Sequence, residues 1–76
     1  MIPERTKAAI DRYVNDHTPV GGFLTAVLSN DLKGAVGQAD EENRAALFSI
    51  VGYCYHEIPS ECWGSPAKVE AWLEER

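Results

Sequence analysis

Apolar residues recur along this chain at three- and four-residue intervals, the spacing of helices that each turn one face inward. A first helix is predicted from about Pro3 to Asn15, with Pro3 suited to the first turn. Thr6, Ile10, Tyr13 and Val14 line its inner face. Thr18-Pro19 ends it, because a residue preceding proline avoids the helical region. After Gly21-Gly22, the apolar positions Phe23, Leu24, Val27, Leu28, Leu32, Ala35 and Val36 continue the pattern. Asn30 or Gly34 is the point at which this stretch can divide into two short helices; Asn30-Asp31 has the chemistry of a local cap, and Gly37 suits a helix end.

Asp40 is the expected N-cap of the strongest helix, Glu41 to about Ile58, which Pro59 stops. Leu47, Ile50, Val51, Cys54 and Ile58 form its expected core stripe. Phe48, Tyr53 and Tyr55 add apolar surface on other faces, so this helix is expected to touch more than one neighbour. Ser65-Pro66 opens the last helix, to about Glu74, burying Val69, Trp72 and Leu73. No alternating strand pattern and no internal repeat interrupts the series. The prediction is a single all-α domain over residues 1–76, a small bundle of four to five helices.

Composition narrows the function classes. Seventy-six residues, 45% of them apolar, allow one small core that is short of buried area, a deficit that oligomerisation commonly makes up. No apolar run is long enough to span a membrane. The charged opening MIPERTKAAIDR is unlike a secretory signal, which predicts an intracellular protein with Cys54 and Cys62 as reduced thiols. The net charge is −5 and concentrates in residues 40–62, where five carboxylates stand against Arg44 alone. Without a basic patch, direct nucleic-acid binding is not expected.

Catalytic and metal signatures are missing from the pattern. Cys54-x-His56 precedes Cys62 by metal-like spacing, but residues two apart on a helix point about 200° away from each other. Cys54 therefore reads as a core thiol and His56 as a surface imidazole. A Cys–His nucleophile would need His17 from the first loop. No catalytic residue, metal or cofactor is assigned, and the chain reads as a non-enzyme.

Two clusters are more informative. Gly21-Gly22-Phe23 leaves backbone N–H groups uncovered at a helix start, a geometry that holds anions; the commoner reason for such glycines is close helix packing or a positive φ. Trp63 stands in the polar loop Ser60 to Ser65, either as a lid over the core or as a platform for a ligand ring.

These clusters carry a resemblance. The pattern P-x-G-G-F-L-x-A-V-L-x-N-D-L (Pro19 to Leu32), A-D-E-E-N-R (Ala39 to Arg44) and I-P-S-x-C-W-G-S-P-x-K-V-x-A-W (Ile58 to Trp72) resembles a family of short proteins encoded in tailed-phage and prophage genomes. It extends over nearly the whole chain. The resemblance implies a setting rather than a mechanism, namely the host bacterial cytoplasm and host–virus interaction. Small phage proteins of this kind often counter bacterial defence, by binding a host protein or by sequestering a nucleotide messenger.

The leading expectation is a non-enzymatic sponge for a small phosphorylated nucleotide, with its site at a homo-oligomer interface. Phosphate is expected at Gly21 and Gly22, and a base on one of the aromatics Phe23, Tyr55 or Trp63. Asn30, Arg44 and Ser65 complete the candidate ligand-binding set. The alternatives are an acidic inhibitor of a host protein, and a structural or accessory phage component.

Overall fold

In the computed structural model, which describes residues 1–75, six α-helices and one 3-10 turn follow one another. They are α1 Glu4–Asp16, α2 Gly22–Leu28, α3 Leu32–Gln38, α4 Glu41–Ala45, α5 Leu47–Glu57 and α6 Pro66–Glu74. The 3-10 turn, Ser60–Cys62, precedes α6. The all-α class is as the periodicity predicted. Among the described residues there is no strand, and no helix is long and apolar enough to cross a membrane.

The apolar helix α2 lies at the centre, with Phe23, Leu24, Ala26, Val27 and Leu28 all buried. It ends where Asn30 adopts a left-handed conformation (φ 63°), a region asparagine tolerates better than most residues. Asp31 then caps α3, its Oδ1 accepting from the Gly34 N–H at 2.9 Å. Asn30 is thus the divider, while Gly34 sits inside α3. The two helices form a hairpin, with Gly22 and Gln38 together at its open end.

The strongest predicted helix is in fact two. Asp40 caps α4 as expected, accepting from the Asn43 N–H at 2.8 Å. The chain then leaves helical geometry at Ala46 (φ −100°, ψ 6°) before resuming as α5. No glycine or proline occupies this point, so the cause is tertiary. Ala46 is buried, and the bend turns Ile50 and Cys54 into the core. The re-aiming also corrects the predicted stripe: Leu47 and Ile58 are only half-buried, and Val51 is exposed.

Helix α1 buries Thr6, Ile10 and Tyr13, and ends on left-handed His17 (φ 55°). The C-terminal segment closes over it. Ser65 caps α6 by accepting from the Lys68 N–H, Val69 is buried, and Trp72 and Leu73 pack partly buried against the core. Trp72 donates its indole N–H to the Tyr13 carbonyl at 2.8 Å and stacks on the His17 ring at 4.1 Å. The His17 Nδ1–H donates in turn to the Trp72 carbonyl at 2.7 Å.

Candidate functional site

Three regions of the surface combine shape with chemistry. The first surrounds the start of α2, where a cleft of about 460 Å³ is lined by Gly21 and Gly22 together with Arg5, Thr6, Gln38 and Asn43. Helices α3, α4 and α6 each begin on a side-chain cap, but Gly21 has no side chain to offer α2. The first bond into this helix is Thr25 N–H to the Gly21 carbonyl. The N–H groups of Gly22, Phe23 and Leu24 are therefore without a protein acceptor among the described residues.

Arg5 spans the rim of this cleft. Its guanidinium donates to Glu42 Oε1 at 3.0 Å and to Asp40 Oδ2 at 2.7 Å. These hydrogen bonds, first to Glu42 and then to Asp40, raise the Arg5 pKa. The Asn43 backbone N–H is the main cause of the lowered pKa of Asp40, with Arg5 adding to it. Thr6 donates to Asn43 Oδ1 at 2.7 Å and ties α1 to α4 behind the glycines.

The second region is a cleft of about 160 Å³ at the other end of the α2–α3 hairpin. Val27, Leu32, Ala35, Leu47 and Val51 make its apolar wall, with Asn30 and Trp63 at its edge. Trp63 is half-buried and packs on the core, as a lid does. The Gly64 N–H that follows it donates to the Leu28 carbonyl at 2.7 Å and anchors the loop.

Phe48 marks the third region, protruding from α5 at 93% exposure above a shallow hollow lined by Leu32, Arg44, Leu47 and Val51.

The eight candidate residues do not meet in one place within a protomer. Gly21 and Gly22 share the first cleft, and Asn30 and Trp63 share the second. Phe23 borders the first cleft but is only 8% exposed, so its ring belongs to the core and offers no stacking face. Arg44 borders the hollow below Phe48 and donates to the Ala39 carbonyl at 3.4 Å. Tyr55 is exposed, edge-on to His56 at 5.1 Å. The Ser65 hydroxyl is engaged as the cap of α6. Sequence periodicity did not single out Arg5, Gln38 and Asn43 as neighbours of the glycines; Thr6, a polar residue on the inner face of α1, was the one available signal.

The thiols are not poised for attack. Cys54 and Cys62 are both fully buried and free. Burial pushes the Cys54 thiol up to about 12 and raises that of Cys62, so neither carries thiolate at neutral pH. Cys62 instead donates its S–H to the Pro59 carbonyl. Cys54 faces the core and His56 faces solvent, so the pair diverges as helical geometry requires.

Comparison with protein-family models, with curated proteins and with solved structures gives no match to this chain.

Proposed function

We propose that this protein acts by holding a ligand without transforming it, as a stoichiometric binder of a small phosphorylated nucleotide. One observation carries the reading: the unpaired N–H groups of Gly22, Phe23 and Leu24 open onto a cleft of ligand size. Such donors complement phosphate oxygens, and Arg5 offsets the carboxylates of Asp40 and Glu42 beside them. In this reading Gly22 is bare because the ligand occupies the space a side chain would fill. Trp63 lies in another cleft of the same protomer, so it does not stack a base over phosphates held at that protomer's Gly21 and Gly22. The phage-like pattern of the sequence supports a role in counter-defence, with an immune messenger sequestered in the host cytoplasm.

Isothermal calorimetry against cyclic nucleotides and ADP-ribose-type messengers tests this. The expected result is saturable binding that Gly22→Val weakens at least tenfold at unchanged helicity and melting temperature. Absence of heat across the panel moves the assignment to the second reading, inhibition of a host protein. The exposed carboxylates of Glu41, Glu57 and Glu61 favour that reading, since they suit a basic partner.

A further inference from the structure

Apart from Met1, the large exposed apolar side chains lie on α3 and α5. Leu32 and Val36 lie four apart on α3, and Phe48, Val51 and Tyr55 follow one another at three- and four-residue steps on α5. Leu32, Leu47 and Val51 line both the Trp63 cleft and the hollow below Phe48, which joins the two stripes into one face. We propose that this face binds a second copy of the chain, and that Phe48 of each copy enters the Trp63 cleft of the other. The proposal does not depend on the nucleotide reading.

Shape supports the exchange. The Trp63 cleft measures about 160 Å³, and an apolar cavity of roughly 150 Å³ accommodates benzene. A phenyl ring is therefore the right size to fill it. Plug and cleft adjoin each other on one face, so a two-fold axis between them brings each plug to the opposite cleft. The area is also what a dimer needs. With Phe48 at 93%, Tyr55 at 74% and Leu32 at 69% exposure, the face offers on the order of 500 Å² of apolar surface. A standard interface takes about 800 Å² from each partner, and about 65% of a homodimer interface is apolar.

Charge selects a second copy over other occupants. The chain carries −5 overall, yet this face is bordered by Arg44, which makes no ion pair among the described residues. Asp31 lies on the same rim. An edge of mixed sign is self-complementary, and here two acidic chains can approach with the least repulsion.

Sedimentation equilibrium from about 1 to 100 micromolar, together with photocrosslinking, tests the proposal. The expected result is a monomer–dimer equilibrium whose dissociation constant rises about thirtyfold or more in Phe48→Glu, the scale of losing one aromatic anchor. Phe48 is almost wholly exposed in the monomer, so this variant keeps the parent's circular dichroism, and its melting temperature at concentrations where both are monomeric. With benzoylphenylalanine at position 48, the crosslinks are expected on the Asn30–Leu32 or Trp63 segments of the other copy. A strict monomer at 100 micromolar overturns the proposal. So does a dimer insensitive to Phe48→Glu, or one crosslinked elsewhere.

Discussion

The hydroxyl of Tyr13 donates to the carbonyl of Cys62 at 2.7 Å inside the core, joining residues 49 positions apart. Both partners are fully buried, so neither can exchange the bond for water. Tyr13→Phe leaves the Cys62 carbonyl without its donor, and the expected loss is about 1–3 kcal/mol in urea denaturation. Because Trp63 follows Cys62 directly, its fluorescence in the folded variant is expected to shift as well.

The two thiols give a second prediction. Ellman's reagent is expected to titrate neither cysteine in the native protein and both in denaturant, because both side chains are fully buried. Burial also makes stability fall at high pH. Cys54 is raised from 9.0 to about 12 and Tyr13 from 10.0 to about 12, so the unfolded chain releases these protons first. Stability from both groups is complete below about pH 9 and is lost as the pH climbs towards 12. Cys54→Ala is expected to flatten the first part of that decline, measured as urea midpoints against pH.

At the acid end the controlling contact is Tyr53 with Asp11. The Tyr53 hydroxyl donates to Asp11 at 2.6 Å and is the main cause of that carboxyl's lowered pKa, with Lys7 adding to it and burial opposing. A lowered carboxyl stabilises the fold above its unfolded value, near 3.8, and loses that contribution as the pH falls through the folded one. Tyr53→Phe is therefore expected to flatten the stability curve below about pH 4 relative to the parent. Asp40 contributes to the same limb in both proteins, so the difference between the two curves isolates Asp11.

Gly21 and Gly22 separate packing from binding. A Cβ on Gly21 meets nothing within 4 Å, and one on Gly22 meets only the end of the Gln38 side chain, at 3.2 Å. That flexible side chain can swing outwards. Alanine at either position is thus expected to change stability by less than about 1 kcal/mol: at Gly22 gained helix propensity partly offsets the contact, while at Gly21, the N-cap, a small cap loss is the whole effect. If Gly22→Ala nevertheless weakens nucleotide binding at unchanged stability, the glycine serves the ligand. A larger stability loss would assign it to packing.

The helix boundaries that the sequence revealed are those with a local chemical cause. Asp31, Asp40 and Ser65 cap their helices through their own side chains, and Pro59 and Pro66 act through fixed backbone geometry. The break at Ala46 has no such cause, and periodicity alone ran straight through it. It depends on where Ile50 and Cys54 must point, which is a property of the assembled core. The candidate site was partly legible for the same reason. Glycines before a helix are visible in sequence, whereas the approach of Arg5 and Asn43 depends on contacts across 37 and 35 residues of chain.

Trp72 closes over Tyr13 from 59 positions further along the chain, and this span sets a clock during synthesis. At roughly 5–20 residues per second, the ribosome takes about 3–12 s to add the residues between them. Through that interval the inner face of α1, with Ile10 and Tyr13, has no C-terminal cover. Helix α1, the longest, has 13 residues, near the length below which an isolated helix is marginal in water. Until Trp72 has been added, the inner face of α1 has only earlier parts of the chain to pack against, and the bond from the Trp72 indole to Tyr13 is among the last contacts the chain can make.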